Sequence, residues 1–262
     1  MRGLRESWYP RAMHSMDAIC DLLLDAAAGN RNARIIDLRI GPFWSVVHAS
    51  CGAGMASTLR SEHHLHGETP IAGAGSLHRL APMELAGRLR SASEPEAALG
   101  LAAVNALLGP PDGHLTEHNA AAVLAERGAG KRVAMIGRFP FADRLEPACG
   151  ELWVFERGDG RRPGDLDADM LDELLPQADV VAVTSTTIIN RTLPEILDRL
   201  RPDAFVLMLG PSTPLAPRLF DLGVDLLCGT VIVDPQAVML AVSQGAVTRQ
   251  ITGVRRVSLW PR

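Results

Sequence analysis

Residues 205–217, FVLMLGPSTPLAP, decide how the fold of this chain is interpreted. The first five are apolar and typical of a buried strand, and the glycine, two hydroxyls and three prolines that follow end the strand abruptly and hold the turn rigidly. In an open α/β sheet, ligands bind at turns that follow the carboxyl ends of strands. The candidate ligand-binding residues of this turn are Gly210, Pro211, Ser212 and Thr213. Ser212 or Thr213 would equally serve as the N-cap of a helix led by Pro214.

Apolar runs of the same kind recur along the second half of the chain and alternate with helical segments. This alternation is the pattern of βαβ units and predicts a mostly parallel sheet. The predicted strands are residues 132–136, 152–155, 180–184, 205–209 and 225–227, with 254–259 as an edge strand. Thr192 and Glu195 form a sequence capping box, which predicts a helix over residues 193–200.

The turn after the first predicted strand supplies further candidate ligand-binding residues, Gly137, Arg138, Phe139 and Pro140. It lies where a dinucleotide-binding fold has its glycine-rich loop, but the G-x-G-x-x-G pattern is absent and Pro140 lacks the N–H that such a loop offers to a phosphate. The guanidinium of Arg138 suits a carboxylate or phosphate. Glu156 follows Gly137 by 19 residues, close to the offset of about 20 at which an acid binds a ribose hydroxyl. A solvated glutamate at a strand end is the alternative.

A third polar turn follows the strand at residues 180–184. Thr184, Thr186 and Asn190 are its candidate ligand-binding residues, since hydroxyl and amide groups donate and accept hydrogen bonds without a charge. The alternative is that they satisfy the backbone of the turn itself. Because the three turns follow strands of one predicted sheet, we expect them to converge on one sheet edge.

The first half has a different pattern and predicts a smaller α+β domain. An amphipathic helix over residues 15–28 is followed by a strand pair, 34–40 and 43–49. Several glycines follow this strand pair and predict irregular structure. Two alanine-rich helices are predicted after them. We place the domain boundary so that residues 1–92 form the smaller domain and residues 93–262 the larger one.

Three histidines lie close together in the first half. His63, His64 and His66 fall within residues 62–68, which also contain two glutamates. Imidazole and carboxylate groups suit a divalent transition metal. The spacing matches no established ligand set, so a loop that binds metal weakly and without selectivity is the alternative.

Composition excludes several functional classes. The net charge is -4 and the basic residues are scattered, so no nucleic-acid surface is expected. No apolar run reaches the roughly 20 residues that span a bilayer, and the first residues do not form a secretory signal. The four cysteines form no C-x-x-C pair, which favours reduced thiols in a cytoplasmic protein. An apolar strand edge or helix face would support a homodimer.

Four blocks of the chain together resemble a known prokaryotic family. The blocks are EAALGLAAVNALL (96–108), VAMIGRFPF (133–141), ADVVAVTSTTIINRT (178–192) and LGPSTPLAPRLFDLG (209–223). They are similar to blocks of the family described as "putative heavy-metal chelation". The resemblance implies an enolase N-terminal-like α+β domain joined to a Rossmann-like α/β domain, with the active site in the cleft between them. The family usually has glycine where this chain has Ser185, which alters the shape of that pocket edge.

These observations lead to one functional expectation with two alternatives. We expect the chain to bind a small polar molecule, with or without a metal ion, between its two domains. One alternative is an enzyme that binds a nucleoside cofactor such as S-adenosylmethionine, with Glu156 on the ribose. The other is a non-enzymatic metal carrier that uses His63, His64 and His66. The sequence assigns no catalytic residue and leaves open whether the protein is an enzyme.

Overall fold

The structure is a computed structural model that describes residues 14–59, 69–109, 115–117, 119–157 and 160–261. It contains one sheet of seven strands, which are mostly parallel, and one sheet of three antiparallel strands. The α/β class that the sequence predicts, with a mostly parallel sheet and a smaller N-terminal part, is therefore confirmed.

The first part of the chain forms the small sheet and three of the helices. The strands are β1 (Ile35–Ile40), β2 (Trp44–Ala49) and β3 (Gly52–Ser57), and the helices are α1 (Met16–Ala27), α2 (Pro82–Gly87) and α3 (Glu94–Leu108). The predicted strand pair corresponds to β1 and β2. Strand β3 occupies the segment that the glycines predicted to be irregular, so that expectation is wrong.

The second part forms the large sheet and its helices. The strands are β4 (Leu115–Thr116), β5 (Arg132–Ile136), β6 (Glu151–Phe155), β7 (Val180–Thr184), β8 (Phe205–Leu209), β9 (Leu226–Ile232) and β10 (Val254–Leu259). The helices are α4 (Ala120–Gly128), α5 (Ala142–Leu145), α6 (Leu171–Leu174), α7 (Thr186–Ile189), α8 (Leu193–Asp198) and α9 (Pro235–Ser243). Strands β5 to β9 run parallel, whereas β10 and β4 complete one edge in antiparallel pairs.

Strand β5 shows why the central strands are apolar along their whole length. Its side chains alternate between two buried clusters, with Val133 and Met135 in one and Ala134 and Ile136 in the other. A parallel strand covered on both faces has no polar side, so its sequence reads as a continuous apolar run.

The order of the strands creates a topological switch point. The sheet order is β4-β10-β9-β8-β7-β5-β6. The chain passes from β5 to β6 on one side and then crosses to β7 on the other, so the direction of winding reverses between β5 and β7. Doubly wound sheets bind ligands in the crevice at such a reversal, beyond the carboxyl ends of the strands.

Helix α3 ties the two parts of the chain together. It packs on the small sheet, and one apolar cluster contains residues of α3, of that sheet and of the large sheet. The predicted boundary between residues 92 and 93 assigns α3 to the larger domain, although the helix contacts β2 and β3. Helix α9 and β10 contribute to another cluster, which packs on the opposite face of the small sheet through Trp44, Val46 and Met55.

Within the described ranges, no helix combines the length and the apolar character needed to cross a membrane.

Candidate functional site

The three polar turns lie side by side at the carboxyl edge of the large sheet. The N–H of Gly137 donates to the carbonyl of Phe155 at 2.8 Å, which joins the turn after β5 to the end of β6. The N–H of Ser185 donates to the carbonyl of Leu209 at 3.1 Å, and so joins the turn after β7 to the end of β8. The expected convergence of the turns on one edge is what the structure has.

Close packing between the turns accounts for two of the predicted glycines. Gly137 has a φ of +90°, and a Cβ added to it would lie 2.9 Å from Cγ2 of Thr184. Gly210 has a φ of +131°, and its added Cβ would lie 3.0 Å from Oγ of Ser185. Positive φ values and close approach both favour glycine. These glycines are therefore explained by contact between neighbouring turns, without a phosphate.

A cavity of about 100 Å³ opens at the switch point between β5 and β7. We call it the switch-point cavity. Five of the predicted ligand-binding residues line it: Gly137, Glu156, Thr184, Thr186 and Asn190. Its remaining polar or charged lining residues are Arg157, Thr187, Thr192, Glu195 and Arg199.

The carboxylate of Glu156 is held in place by the backbone. Its Oε2 accepts the N–H of Arg138 at 2.6 Å, and its Oε1 accepts the N–H of Arg157 at 2.8 Å. A carboxylate has about four lone-pair positions, so each oxygen keeps the capacity to accept a further hydrogen bond. Glu156 is therefore a fixed acceptor on the wall of the switch-point cavity.

The hydroxyl and amide groups of the cavity form two hydrogen-bonded pairs. Oγ1 of Thr184 lies 3.1 Å from Oγ1 of Thr186. Asn190 accepts from the hydroxyl of Thr192 at 2.8 Å through Oδ1. Among the described residues, no group accepts a hydrogen bond from Nδ2 of Asn190. Thr192 makes no side-chain cap on α8, so the predicted capping box is wrong; its hydroxyl bonds Asn190 instead.

Arg138, Phe139 and Pro140 do not line this cavity. The guanidinium of Arg138 forms ion pairs with Asp165 at 2.9 Å and with Asp143 at 2.8 Å. The carboxylate of Asp165 is almost fully buried, at 1% exposure. A ligand that used Arg138 would have to displace these carboxylates, which is costly for a buried ion pair.

The turn after β8 joins the two parts of the molecule. Oγ of Ser212 accepts the N–H of Ser57 in β3 at 2.8 Å, and the carbonyl of Ser212 accepts Nδ2 of Asn105 in α3 at 3.0 Å. The expected cap role of Ser212 or Thr213 is wrong, because the helical turn begins at Pro217 and its N-cap is Ala216. The hydroxyl of Ser212 is engaged by the small sheet instead.

A second cavity, of about 80 Å³, lies next to this turn between β3, the end of α3 and β9. We call it the junction cavity. Oδ1 of Asn105 and Oγ1 of Thr213 are buried and have no hydrogen-bond partner among the described residues, and both residues line the cavity. Nδ2 of Asn105 donates to the carbonyls of Met55 and Ser212, so the orientation of the amide is fixed and Oδ1 is left as an acceptor.

Sequence reasoning missed Asn105. The available signal was that Asn105 is the one polar side chain in residues 97–108, AALGLAAVNALL. A buried amide in an apolar helix needs hydrogen-bond partners from elsewhere in the fold. The sequence does not say which residues supply them.

The predicted metal ligands His63, His64 and His66 lie outside the described residues. Within the described residues, no group of three or more histidine, cysteine or acidic side chains is placed to hold a metal ion. Burial raises the pKa of the Cys51 and Cys149 thiols above the ordinary value and that of Cys228 to about 11. A raised pKa makes the thiolate, the form that binds metal and acts as a nucleophile, less available at neutral pH.

Comparison with known proteins gives matches along both parts of the chain. Residues 21–108 match the DUF4213 family and residues 119–261 match the DUF364 family, both described as "Putative heavy-metal chelation". The uncharacterised protein MJ0500 of Methanocaldococcus jannaschii is 29% identical over 150 residues, which make up 55% of this chain and 58% of that protein.

Two solved structures of the DUF364 family share the fold. A protein of unknown function from Desulfitobacterium hafniense DCB-2 is 25% identical, with a TM-score of 0.78 over 94% of this chain and 98% of its own. A protein of unknown function from Pyrococcus horikoshii, PH1506, is 20% identical, with a TM-score of 0.79 over 95% of this chain and 99% of its own.

The family resemblance read from the four sequence blocks is confirmed, while the likeness of the two parts to the enolase N-terminal and Rossmann folds stays a prediction. The DUF364 match alone covers more than half of the sequence. The chain therefore belongs to the DUF364 family, whose description is "Putative heavy-metal chelation".

Proposed function

We propose that the protein binds a small, uncharged, polar molecule at the carboxyl edge of the large sheet, in the switch-point cavity. The observation that carries this proposal is the position of Glu156, Thr186 and Asn190 on one cavity at the reversal between β5 and β7. Ligands of doubly wound sheets bind at this place because turns from adjacent strands diverge there and leave a crevice.

The lining of the cavity indicates the chemistry of its ligand. Among the described lining residues, two acids, Glu156 and Glu195, are balanced by two bases, Arg157 and Arg199, so this lining favours a ligand without net charge. The hydroxyls and the amide suit a ligand with several hydroxyl or amide groups. The cavity is well below the roughly 300–1,000 Å³ of sites for drug-sized ligands, so its ligand has few non-hydrogen atoms.

This size weighs against the nucleoside-cofactor alternative. An acceptor for ribose hydroxyls needs a carboxylate at the end of this strand in a fixed orientation. Glu156 has this position, and two backbone hydrogen bonds fix its carboxylate. A cavity of about 100 Å³ accepts a ribose-sized group, but it is too small for a whole adenosyl group. We therefore favour a small polyol or amide as the ligand.

The junction cavity is a second candidate location, between the small sheet and the large one. The unpartnered Oδ1 of Asn105 and hydroxyl of Thr213 favour it, because buried polar atoms without partners are costly and a donor-bearing ligand would satisfy them. Among the described residues that line this cavity none is charged, so we expect its ligand to be uncharged as well.

Ligand-observed NMR with a panel of neutral polyols, small amides and nucleosides tests the proposal. We expect polyols or amides to bind the wild type and to bind Thr186→Val about tenfold more weakly, the effect of losing one buried hydrogen bond. Glu156→Gln should weaken binding as well. Glu151→Gln is the matched control, because Glu151 is exposed at the opposite end of the same strand.

The variants also locate the ligand. Binding that is insensitive to Thr186→Val and Glu156→Gln but lost in Thr213→Val would place it in the junction cavity and contradict the switch-point cavity. Binding of the whole panel at equal strength to every variant would contradict both locations.

Metal binding is the second candidate function, and the family description favours it. The proposed ligands are His63, His64 and His66, with a divalent transition metal. Elemental analysis of tag-free protein should find metal that the triple variant His63→Ala/His64→Ala/His66→Ala loses and the control His78→Ala keeps. Unaltered metal content in the triple variant would exclude these histidines as the site.

A further inference from the structure

The structure exposes several large apolar side chains, two of them on β1. Among the described residues they are Ile36, Ile40, Phe43, Val233 and Leu240. They belong to β1, to the turn that follows it, and to α9 with the segment that leads into it. These elements contact each other, and a Cβ added to Gly41 in that turn would lie 2.4 Å from the carbonyl oxygen of Val242 in α9. Ile36 and Ile40 therefore leave the edge at β1 partly apolar.

Strand β1 is also an edge strand with backbone groups directed away from the sheet. In the order β1-β2-β3, its one strand neighbour within the described residues is β2, and the helical turn Leu77–Arg79 also contacts β1. The N–H of Gly41 donates to the carbonyl of Trp44 at 2.8 Å, so these two residues form a hydrogen-bonded pair. Hydrogen-bonded and non-hydrogen-bonded pairs alternate along antiparallel strands. Leu38 and Ile40 therefore direct their N–H and C=O groups outward.

In a single chain, the outward N–H and C=O groups of Leu38 form hydrogen bonds with neighbouring side chains. Its N–H donates to Oδ1 of Asp37 at 2.8 Å, and its carbonyl accepts Nη1 of Arg39 at 3.0 Å. Asp37 and Arg39 also form an ion pair with each other. Charged side chains of this kind keep an edge strand from pairing indiscriminately.

The sequence of this edge is complementary to itself. Residues 36–40 read Ile-Asp-Leu-Arg-Ile. In an antiparallel pair centred on Leu38, Ile36 lies opposite Ile40 and Asp37 lies opposite Arg39 of the second copy. The Leu38 pair is a hydrogen-bonded one, so the Asp37–Arg39 pair is non-hydrogen-bonded, the kind in which opposing side chains are closer.

We propose that a second copy of this chain pairs with β1 about a two-fold axis, which joins the two small sheets into one. In the dimer, the N–H and C=O of Leu38 bond to the backbone of the second copy in place of the side chains of Asp37 and Arg39. The Asp37–Arg39 ion pair within each chain is replaced by two such pairs between the chains. The polar interactions are therefore nearly balanced, and burial of Ile36 and Ile40 drives association. The register of β1 is irregular between Ile35 and Asp37, so the residues that pair regularly between the two copies are Asp37, Leu38 and Arg39, and Ile36 and Ile40 meet at the two ends of this segment.

Charge reversal at the edge tests this pairing. Asp37→Arg and Arg39→Asp each put like charges opposite each other across the axis, whereas an equimolar mixture of the two variants puts opposite charges together. Analytical ultracentrifugation should find a wild-type dimer, a dissociation constant raised about tenfold or more in each single variant, and a heterodimer in the mixture. Circular dichroism of each variant checks that it is folded.

Two further variants keep the test decisive. Asp25→Arg reverses an exposed charge on α1 and should leave the dimer unchanged. Ile40→Lys keeps the Asp37–Arg39 pair within the chain and should weaken the dimer. A monomeric wild type at about 100 µM, well above the dissociation constants of stable interfaces, would overturn the proposal. A dimer unaffected by the charge reversals, or a mixture that remains monomeric, would overturn it as well.

Discussion

At the scale of single residues, the hydroxyl of Ser212 connects the two parts of the molecule. Ser212 is 1% exposed and accepts the N–H of Ser57. A buried donor that loses its acceptor keeps the full cost of its desolvation. This hydroxyl therefore has a structural role in a turn whose sequence predicted a ligand.

Ser212→Ala should lower the free energy of unfolding by about 1–3 kcal/mol, because the N–H of Ser57 would be left without its acceptor. Urea unfolding measures the change. Ser185→Ala is the matched control, since Ser185 is equally buried at the same edge and its hydroxyl has no hydrogen bond among the described residues. An equal loss in both variants would contradict the role of Ser212.

Cys228 should make stability depend on pH in the alkaline range. Burial raises the pKa of its thiol from 9.0 to about 11, so the unfolded chain releases this proton first as the pH rises. The stability that this thiol contributes is complete below pH 9 and is lost between about pH 9 and 11, amounting to about 3 kcal/mol. Urea unfolding at pH 8 and pH 10.5 should show a smaller decrease for Cys228→Ala than for wild type; equal decreases would contradict this effect.

The position of the candidate residues of the switch-point cavity at strand ends could be read from the sequence for a physical reason. Glu156, Thr186 and Asn190 follow apolar runs, and the end of a buried strand is visible in the sequence. Arg138 and Ser212 follow strands in the same way, yet their partners are Asp165 and Ser57. A polar group that binds a ligand and one that binds a distant part of the chain have the same local sequence.

At the scale of elements, the contact between α3 and β3 is unusually close. A Cβ added to Gly54 would lie 2.2 Å from the backbone nitrogen of Ala106 and 2.5 Å from the carbonyl oxygen of Ala102. Backbone atoms cannot move aside without shifting the whole helix. The glycine in β3 is therefore what lets α3 lie directly on the small sheet.

Gly54→Ala should destabilise the protein by about 3 kcal/mol, at the upper end of the cost of overpacking a core. Gly29→Ala is the control, because nothing lies within 4 Å of a Cβ added there and its φ is not positive. The control should be neutral or slightly stabilising. Thermal unfolding monitored by circular dichroism compares the two variants, and a Gly54→Ala variant as stable as wild type would show that α3 does not lie on β3 in this way.

The same contact explains why β3 was not predicted. Glycines ordinarily weaken a strand, so residues 52–57, GAGMAS, predicted irregular structure. The stabilisation of β3 comes from its close contact with α3, a helix some 50 residues later in the sequence. A local sequence pattern does not show this contact. The helical turn after β8 was misplaced for a similar reason, since Ser212 is engaged by β3 and does not cap it.

At the scale of the whole molecule, α3 contributes to the buried packing of both the small sheet and the large sheet. Its residues fill one face of the small sheet and also share a cluster with the large sheet. A chain cut between residues 92 and 93 would separate the small sheet from the helix that covers it. The small sheet is thus expected to depend on α3 for its stability.

Fragments of the chain test this dependence. Residues 1–92 should give the far-ultraviolet circular dichroism of an unfolded chain, because the face of the small sheet that packs on α3 would be exposed to water. Residues 1–109, which include α3, should show a cooperative thermal transition. A cooperative transition in the shorter fragment would instead support the boundary predicted from the sequence.

The sheet topology was only partly predictable from the sequence. Alternating apolar runs and helices establish a parallel sheet, because parallel strands need crossover connections. They do not establish on which side of β5 the chain places β6 and β7. That order creates the switch-point cavity, so the sequence indicated the carboxyl edge as the site but not the position along it.

A crystal structure of the protein with the tightest-binding polyol or amide from the NMR panel tests the central claim most directly. We predict density for the ligand in the switch-point cavity, within hydrogen-bond distance of Glu156, Thr186 or Asn190. Density for the ligand elsewhere on the molecule, with this cavity unchanged, would contradict the claim.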